Sequence, residues 1–479
     1  MVQVKKNEAV IPRLMVSAPG KSSGKTTITL ALTHAFSAAG DRVMCFKKGP
    51  DYIDPAWHRL AGAEESRNLD PWMMGDDGCM QSFSRYALRG AAVLNLIEGN
   101  HGLHDGISLD GSDSSAGLAS MLKAPVLLVV DALSAGRGIA AIVMGMQQME
   151  PRADICGVVL NRVRTKRQGE KQRLAIERYC KVPVLGAIPV DERLVIPERH
   201  LGLTTVDESG EGAEAAIRSA SETVAAHCDM EAIRNICFSA SSFPLEDMPE
   251  AEAGIPLSGR ARIGVFRDRA FCFYYPENLE ALRNRGAELV FIDSMKDRKL
   301  PVLDGLYLGG GFPESFIDEI AANLTLCDSV RQAVESGMPL YAECGGLIYL
   351  SSGATWNGKR HQLVGVLPLE IDFQKHPAGH GYLELKSLHC SPWFSESERV
   401  RAHEFHYSKA VAINGRPQWQ FDVVRGTGIS GDYDGILQGN LFASYAHIHA
   451  VATPGWAETF VSLSALFRSS SRSCTTKSA

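Results

Sequence analysis

The amino-acid sequence predicts an α/β protein of two domains, the first of them a P-loop domain with a doubly wound, mostly parallel sheet. Its 479 residues are too many for one ordinary hydrophobic core. Short apolar runs alternate with helix-like segments in the first half, and this rhythm resumes after about residue 260. A glycine-rich stretch, "SAPGKSSGKTT", follows the first apolar run directly. Together these features favour two successive α/β units.

The apolar runs of the first half predict buried parallel strands, because both faces of such strands are covered and no polar alternation is needed. They are "RLMVSAP" (13–19), "RVMCFKKG" (42–49), "AVLNLIEGN" (92–100), "APVLLVVDA" (124–132) and "DICGVVLNRV" (154–163). The corresponding runs of the second half are "RIGVF" (262–266), "AELVFID" (287–293), "GLYLGGG" (305–311) and "MPLYAEC" (338–344).

The stretch 237–260 is rich in Ser, Pro, Gly and acidic residues without a sustained period, which is typical of a linker. The final segment, "RSSSRSCTTKSA", is small and polar, which predicts disorder. We therefore expect an ATP-binding domain over 1–236, a linker over 237–260, a second α/β domain over 261–466 and a disordered tail over 467–479.

Composition excludes several classes of partner. The net charge of −6 gives no electrostatic reason to expect nucleic acid or an anionic membrane as partner. No apolar run is long enough for a membrane span, and the N-terminus does not resemble a signal peptide. Eleven cysteines without regular spacing suggest reduced thiols and a cytoplasmic location.

The loop "GKSSGKTT" between a strand and a helix predicts phosphate binding through backbone N–H groups at the helix N-terminus. Lys25 would reach the β- and γ-phosphates, and the Thr26 hydroxyl would hold Mg²⁺. Pro19 occupies the place of the usual first glycine, so the motif is a variant, and an ordinary glycine-rich turn is the alternative. The predicted ATP-binding residues in the loop are Gly20, Ser23, Gly24, Lys25, Thr26 and Thr27.

Acidic residues follow the predicted strands at the edge where ligands bind in an open parallel sheet. Glu98 ends one strand, and Asp51, Asp54 and Asp105 follow strands closely. Carboxylates beside a triphosphate suit Mg²⁺, although each of them can also cap a helix or turn. Asn161 ends another strand and is either an adenine-binding residue or a turn asparagine.

"YAECGG" places Cys344 where a strand meets a turn, with Ala342 and Gly346 as the small residues two positions away on either side. This spacing is typical of a nucleophile held on a tight strand–turn–helix turn. A helix N-terminus beyond it should lower the thiol pKa, which favours acyl transfer through a thioester. A small core cysteine is the alternative.

The same chemistry needs an oxyanion hole and a base. "LGGGFPE" supplies backbone N–H groups at Gly310 and Gly311 that can approach a carbonyl oxygen. The alternation in "SYAHIHA" predicts a strand with His447 and His449 on one face, and either can be the base. "AHEFHYS" adds His403 and His406 without a clear role, and each histidine can instead be structural.

Several motifs occur in the order found in one known family. They are "FKKGPDYIDP", "PERHLGL", "FCFYYPENLEAL", "GGGFPE", "ECGG", "HEFHYS" and "SYAHIH". From about residue 13 to 465 the chain resembles the cobyrinate a,c-diamide synthases, which are glutamine-dependent amide ligases. That resemblance implies a dethiobiotin-synthetase-like ATP domain followed by a class I glutamine amidotransferase domain.

The resemblance also implies roles for individual residues. Cys344 would be the nucleophile and His447 its base. The metal ligands would be Thr26, Asp51 and Glu98. The residues that contact the tetrapyrrole would be Lys47, Tyr52 and Asp105.

Two departures from the family pattern stand out. Class I amidotransferases usually carry a glutamate two residues after the histidine, where this chain has His449, so a Cys–His dyad is expected. The loop "EGNHGLHDG" carries His101 and His104 in place of the residues common in corrin enzymes, and it is closer to relatives that amidate sirohaem.

The predicted function is ATP- and glutamine-dependent amidation of the a and c acetates of cobyrinate through acyl phosphates, with Mg²⁺ as cofactor. The ligands expected are ATP, L-glutamine and a tetrapyrrole carboxylate, and a homodimer is compatible with this function. The close alternative is amidation of sirohaem. A P-loop ATPase with a non-catalytic amidotransferase-like domain leaves "ECGG" unexplained, and a regulatory protein with an inactive domain should have lost Cys344 or the histidines.

Overall fold

The computed structural model describes residues 8–133, 135–194, 198–199, 202–203, 212–244 and 261–475. The chain divides into two compact units, Met1–Met248 and Pro249–Ala479. Of the predicted linker 237–260, residues 245–260 lie outside the described residues. The described part of that linker carries regular structure, since it includes the end of a helix and the short strand Phe243–Pro244.

The first unit is built on a seven-stranded parallel sheet. Its strands are β2 (Arg13–Ser17), β3 (Arg42–Lys48), β4 (Glu65–Leu69), β5 (Val93–Glu98), β6 (Val126–Asp131), β7 (Ile155–Val163) and β8 (Val184–Pro189). Their order in the sheet is β4-β3-β5-β2-β6-β7-β8, with every neighbouring pair parallel. This confirms the predicted doubly wound sheet, because β2 lies between strands that follow it in the chain.

Helices connect these strands, and two short antiparallel strand pairs lie outside the sheet. The helices are α1 (Lys25–Ala38), α2 (Ile53–Leu60), α3 (Pro71–Tyr86), α4 (Ser115–Met121), α5 (Ile139–Gln148), α6 (Lys166–Cys180), α7 (Gly212–His227) and α8 (Met230–Phe238). The short antiparallel pairs are β1 (Glu8–Ala9) with β11 (Phe243–Pro244) and β9 (Glu198–Arg199) with β10 (Gly202–Leu203). A single 3-10 turn spans Glu192–Leu194.

The second unit is built on a nine-stranded mixed sheet. Five strands pair in parallel: β12 (Arg262–Phe266), β13 (Glu288–Ile292), β14 (Gly305–Leu308), β15 (Leu340–Glu343) and β24 (Leu441–Ser444). Four strands continue the sheet antiparallel: β19 (Gly379–Ser387), β20 (Arg399–His406), β22 (Gln418–Arg425) and β23 (Tyr433–Gln438). The order is β13-β12-β14-β15-β24-β23-β22-β19-β20.

A four-stranded sheet and several helices complete this unit. The strands are β16 (Ser351–Trp356), β17 (Lys359–Gln362), β18 (Leu367–Phe373) and β21 (Ser408–Ile413), in the order β17-β16-β18-β21. The helices are α9 (Pro276–Asn284), α10 (Ile317–Ala322), α11 (Leu324–Glu335), α12 (Gly345–Leu350) and α13 (Gly455–Thr475), and Pro313–Phe316 forms a 3-10 turn.

Strand alternation divides the core of the second unit between the two faces of its large sheet. On β14, Leu306 and Leu308 join the apolar cluster on one face, whereas Tyr307 joins the cluster on the other. Both clusters are buried, which explains why β14 and β15 are almost wholly apolar. The ends of these central strands therefore emerge from a rigid, packed layer.

Two expectations about the end of the chain differ from the structure. Helix α13 runs to Thr475, so residues 467–475 of the predicted tail are helical, and residues 476–479 lie outside the described residues. The expected strand over 444–450 does not form, because β24 ends at Ser444 and beyond it only an isolated bridge joins His447 to His403. Within the described residues, no helix is both long and apolar enough to cross a membrane.

Candidate active site

The glycine-rich loop joins β2 to α1, as predicted. Gly24 has a φ of 95° and precedes the first residue of the helix, Lys25. The Ser23 hydroxyl and the Lys25 ammonium both donate to the carbonyl oxygen of Gly20, at 3.1 and 3.0 Å. Thr26 and Thr27 follow in the first turn of α1. The loop thus closes on itself at a helix N-terminus, which is the geometry that binds phosphate.

Glu98 is the centre of a buried polar network beside this loop. Thr26 Oγ1 donates to Glu98 Oε1 (2.5 Å), and Lys47 Nζ contacts the same oxygen (2.8 Å). His58 Nε2 donates to the other oxygen, Oε2 (2.7 Å), and the Ser66 hydroxyl lies 2.9 Å from its second nitrogen. Sheet register accounts for this arrangement, because Lys47 of β3 is paired with Glu98 of β5. The sequence analysis missed His58, which is fully buried inside helix α2.

The charges in this network stabilise one another. Burial opposes the ionisation of Glu98, but Lys47 and His58 outweigh it, so the pKa of that carboxyl lies well below its usual range. Burial likewise opposes the charge of Lys47, yet Asp54 (2.5 Å) and Glu98 raise its pKa above the usual value. Burial and the nearby Lys47 lower the pKa of Lys25 to about 8. Glu98 and Lys47 are therefore charged at neutral pH, and Lys25 titrates near it.

Lys47, predicted to contact the substrate, and Asp51, predicted to bind metal, both have contacts with neighbouring groups. The Lys47 side chain is buried between Glu98 and Asp54. One carboxylate oxygen of Asp51, Oδ1, accepts the backbone N–H groups of Ile53 (2.8 Å) and Asp54 (3.0 Å). Asp51 thus caps the start of α2, the alternative that the sequence left open.

Asn161 lies against the glycine-rich loop. Its Nδ2 donates to the carbonyl oxygen of Ser23 (2.9 Å), and a Cβ atom at Gly24 would collide with the same amide. The next residue, Arg162, has a φ of 61° and donates to Ser22 O (2.6 Å) and Asp131 Oδ2 (2.7 Å). Asn161 and Arg162 therefore hold the loop from β7, a contact that the sequence analysis did not predict.

The loop after Glu98 is ordered by its own contacts. Asp105 Oδ2 accepts the N–H of Gly102 (2.8 Å), and the Asp105 charge acts on Lys25 and His101. His101 has a φ of 50° and is half-buried, and burial with Lys21 lowers its pKa to about 4. His104 instead donates from Nε2 to Met146 O (2.9 Å) in helix α5. The two histidines thus differ, since His104 is tied to the domain.

The donor set at the P-loop suits Mg²⁺ held mainly by phosphate oxygens and water. No cluster of three His, Cys, Asp or Glu side chains that would hold a metal occurs in the described residues. Mg²⁺ usually takes only one or two protein ligands when it binds with a nucleotide. The adjoining oxygens of Thr26 and Glu98 meet this requirement.

Tyr52, predicted to contact the tetrapyrrole, immediately precedes α2, and its side chain is half-buried.

In the second unit, Cys344 occupies a strained turn between β15 and α12. Its φ of 46° and ψ of −97° lie outside the favoured regions for a non-glycine residue. A Cβ atom at Gly346 would lie 2.6 Å from Leu308 Cβ, so only glycine lets α12 approach β14 this closely. The thiol donates to Phe405 O at 3.7 Å. Strain of this kind is characteristic of nucleophiles at strand–helix turns, although here the thiol is buried.

The expected depression of the Cys344 pKa is wrong. Burial, followed by the charge of Glu314, raises the pKa of the thiol well above its usual range. The hydrogen bond with the Gly345 backbone at the start of α12 favours the thiolate but does not offset the desolvation. The thiol is therefore neutral in this structure and needs a base to become a nucleophile.

The glycines of "GGGFPE" lie beside the Cys344 turn. Gly309 O accepts the N–H of Gly346 (3.0 Å), and the N atom of Gly311 is 3.3 Å from where a Cβ atom on Gly345 would lie. A Cβ atom on Gly310 would collide with the imidazole of His447. Gly310 therefore adjoins both the turn that carries Cys344 and the ring of His447.

His447 is held from the backbone and faces an acidic side chain. It exchanges two backbone hydrogen bonds with His403, at 2.8 and 3.1 Å. Its Nδ1 lies 3.6 Å from Glu343 Oε2, and both side chains are about 1% exposed. His449 has different neighbours, since its Nε2 faces Glu277 (3.6 Å) and its Nδ1 accepts the N–H of Val451 (3.2 Å). Of these two histidines, His447 is the one that adjoins Gly310 of the predicted oxyanion hole.

The histidines of "HEFHYS" flank the site on β20. His406 stacks on Tyr445 with ring centroids 3.7 Å apart, and it donates from Nδ1 to Ser408 O (2.7 Å). Burial and the neighbouring His447 hold the pKa of His403 well below its usual range, so His403 is neutral. These contacts give His403 and His406 supporting positions.

Comparison with known proteins finds a family match in each of the two units. Residues 14–203 match the CobQ/CobB/MinD/ParA nucleotide binding domain family, and residues 262–454 match the CobB/CobQ-like glutamine amidotransferase domain family. A cobyrinate a,c-diamide synthase of Magnetococcus marinus is 46% identical, over 93% of this chain and 96% of that protein. The chain belongs to the cobyrinate a,c-diamide synthase family.

Other members of this family are similarly close over their whole length. The cobyrinate a,c-diamide synthase of Methanosarcina acetivorans is 38% identical, over 96% of this chain and 97% of that protein. The cobyrinate a,c-diamide synthase of Archaeoglobus fulgidus is 37% identical, over 94% of this chain and 97% of that protein. Chloroplast FtsY from Physcomitrella patens, a solved structure, is 17% identical with a TM-score of 0.29 over 46% of this chain and 68% of that chain, a similarity too low to inform fold or function.

As a family member, the protein is a glutamine-dependent ligase with a nucleotide-binding domain and a glutamine amidotransferase domain. The glycine-rich loop and Glu98 lie within the first matched segment. Cys344, Gly310 and His447 lie within the second.

Proposed function

We propose that the protein converts the a and c acetate side chains of cobyrinate to amides, with ATP and glutamine as co-substrates. The observation that carries this proposal is the pairing of two sites in one chain. One is the contact between Thr26 and Glu98 at the phosphate-binding loop, and the other is the Cys344 turn beside Gly310. The names of the relatives supply the substrate.

The first site activates the carboxylate. Its loop N–H groups and Lys25 bind the phosphates of ATP, and Lys25 stabilises the charge on the γ-phosphoryl group during transfer. An acetate oxygen attacks that phosphorus atom, ADP leaves, and an acyl phosphate forms. Thr26 and Glu98 would hold Mg²⁺, which supplies charge neutralisation at the phosphates. Ammonia then attacks the acyl carbon, phosphate leaves, and loss of a proton yields the amide.

The second site releases ammonia from glutamine. His447 takes the proton of Cys344, and the thiolate attacks the side-chain carbonyl carbon of glutamine. The oxyanion accepts hydrogen bonds from the backbone around Gly310 and Gly311. Ammonia leaves with a proton returned by His447, and water hydrolyses the thioester to glutamate and free thiol. Since burial keeps the thiol neutral, transfer of its proton to His447 is the step that creates the nucleophile.

The loop after Glu98 is the part of the site that we assign to the macrocycle. His101 lies within the electrostatic reach of Lys25, Lys48 and Asp105, whereas His104 is bonded to α5. His101 is therefore the residue by which this protein would distinguish cobyrinate from sirohaem, the second candidate substrate.

Since ATP and glutamine are cytoplasmic metabolites, we propose a cytoplasmic location. Light scattering would test the predicted homodimer.

The test is product mass spectrometry after incubation with ATP, glutamine and an equimolar mixture of cobyrinate and sirohaem. We expect cobyrinate to gain two amides, with the higher kcat/KM. Cys344→Ala should abolish amidation with glutamine but leave amidation with ammonium chloride, because only ammonia release depends on the thiol. Lys25→Ala should abolish both. A preference for sirohaem would reassign the substrate, and failure of ammonium to rescue folded Cys344→Ala would contradict the two-site mechanism.

A further inference from the structure

The glutamate that usually follows the catalytic histidine of class I amidotransferases by two residues is absent here, but a buried carboxylate still faces His447. It belongs to Glu343, the residue directly before Cys344. Glu343 Oε2 lies 3.6 Å from His447 Nδ1. We propose that Glu343 is the positioning residue for His447, so that the glutaminase site is a Cys–His–Glu triad whose acid adjoins the nucleophile. This inference rests on the proposed roles of Cys344 and His447.

The contacts of the Glu343 carboxylate hold it in place. Oε2 accepts the hydroxyl of Tyr307 (3.1 Å), and Oε1 accepts the backbone N–H of Ile448 (3.3 Å). Ile448 directly follows His447, so the carboxylate is tied to the segment that carries the imidazole. Glu343 is only 1% exposed, and water does not screen its charge effectively.

The orientation of the imidazole follows from its two neighbours. Nδ1 lies 3.6 Å from Glu343 Oε2, and the ring atom nearest to where a Cβ atom on Gly310 would lie is Cε1, between the two nitrogens. A carboxylate at Nδ1 favours the tautomer with the proton on that nitrogen. Nε2 then carries the lone pair that accepts the proton of Cys344, and the carboxylate stabilises the imidazolium that results. A distance of 3.6 Å is an ion-pair distance, and it shortens to a hydrogen bond by a small side-chain rotation as that charge develops.

The residue in the usual glutamate position cannot serve this purpose. His449 is directed to another carboxylate, Glu277, at 3.6 Å, and its Nδ1 is engaged with Val451 N–H. Tyr275 also covers its ring, with centroids 4.6 Å apart. The pair of His449 and Glu277 is therefore a matched control, because it has the same residue types, distance and burial but lies away from Gly310.

The experiment compares Glu343→Gln with Glu277→Gln in the full-length protein, using glutamine hydrolysis as the assay. For Glu343→Gln we expect kcat to fall by at least about 100-fold, because general-base assistance is typically worth about 10²–10⁴-fold. KM for glutamine should stay within about threefold, since the carboxylate does not face the substrate. Glu277→Gln should keep kcat within a few-fold of the unmodified protein. The proposal is overturned if Glu343→Gln has the same unfolding temperature and the same kcat as the unmodified protein.

A second measurement does not depend on the folding of a variant at Glu343. In protein labelled with ¹⁵N-histidine, the ¹⁵N chemical shifts of His447, assigned through the signal lost in His447→Asn, report its tautomer. The proposal requires a proton on Nδ1, and a proton on Nε2 alone overturns it.

The outcome also separates this inference from the proposed function. If Cys344→Ala retains glutamine hydrolysis, the site itself is wrong. If Cys344→Ala loses it while Glu343→Gln keeps a normal kcat, only the triad is wrong and a Cys–His dyad remains.

Discussion

The α-carbon of Gly310 lies so close to the imidazole of His447 that a methyl group there would occupy the position of the ring. One of the ring nitrogens, Nε2, would lie 3.2 Å from that methyl group. This contact connects the predicted oxyanion hole to the predicted base.

Gly310→Ala should lower glutamine-dependent amidation by at least about tenfold, because the new methyl group must displace His447 and misplacement by about 1 Å can cost 10²-fold in rate. Amidation with ammonium chloride should be unchanged. Gly455→Ala is the control, since nothing lies within 4 Å of a Cβ atom at that position. Equal effects of the two substitutions would show that the contact with His447 is not functionally important.

His447→Asn should reduce glutamine hydrolysis far more than His449→Asn. Loss of a general base typically lowers the rate about 10²–10⁴-fold. His449, in contrast, contacts Glu277 and Val451, away from the predicted oxyanion hole. Steady-state glutaminase assays on both variants decide the matter. A larger loss at His449 would reverse the assignment of the base.

ATP binding should weaken as the pH rises through about 8. Burial lowers the pKa of Lys25 to about 8, so above that pH the free protein loses the charge that binds the phosphates. Bound phosphates raise this pKa again, and binding therefore takes up a proton and is favoured at lower pH. Titration calorimetry between pH 7.5 and 9.5 measures the effect. Lys25→Arg keeps its charge throughout this range, so a pH dependence that persists in this variant would have another origin.

Asn161→Ala should weaken ATP and GTP binding by similar factors. The Asn161 amide donates to Ser23 O and lies against Gly24, so its loss loosens the phosphate loop without affecting base recognition. Dissociation constants for both nucleotides test this expectation. Selective loss of ATP binding would instead support the adenine-binding role predicted from the sequence.

His101→Met should change the ratio of kcat/KM for cobyrinate and sirohaem by more than His104→Tyr does. His101 is half-buried among the charges of Lys21, Lys48 and Asp105, whereas His104 is bonded to Met146 O. The competition assay with both macrocycles measures each ratio. An unchanged ratio in His101→Met would exclude this histidine as a specificity determinant.

The sequence alone was sufficient for the parallel framework and for the positions of both reactive turns. The strand Val126–Asp131 is apolar up to its final residue because both its faces are covered, and this leaves a clear signal. The strand Glu65–Leu69, "ESRNL", was missed because its buried polar residues hide that pattern. The antiparallel strands of the second unit were missed for a related reason, since their half-exposed faces mix apolar and charged residues, as in Gly379–Ser387.

What the sequence determined by itself is local. The glycine at 24 and the order of strand, turn and helix specify a phosphate loop and a nucleophile turn, because backbone conformation depends on neighbours in the chain. The close approach of Gly346 to Leu308 is a tertiary contact. Tertiary structure decided which charges meet. His58 reaches Glu98 from 40 residues away, and Glu343 at the end of β15 reaches His447 in the segment after β24, through sheet register and packing that no short motif encodes. Tertiary structure also reversed the expected thiol pKa, because burial is set by the whole fold and outweighs the local effect of a six-residue helix.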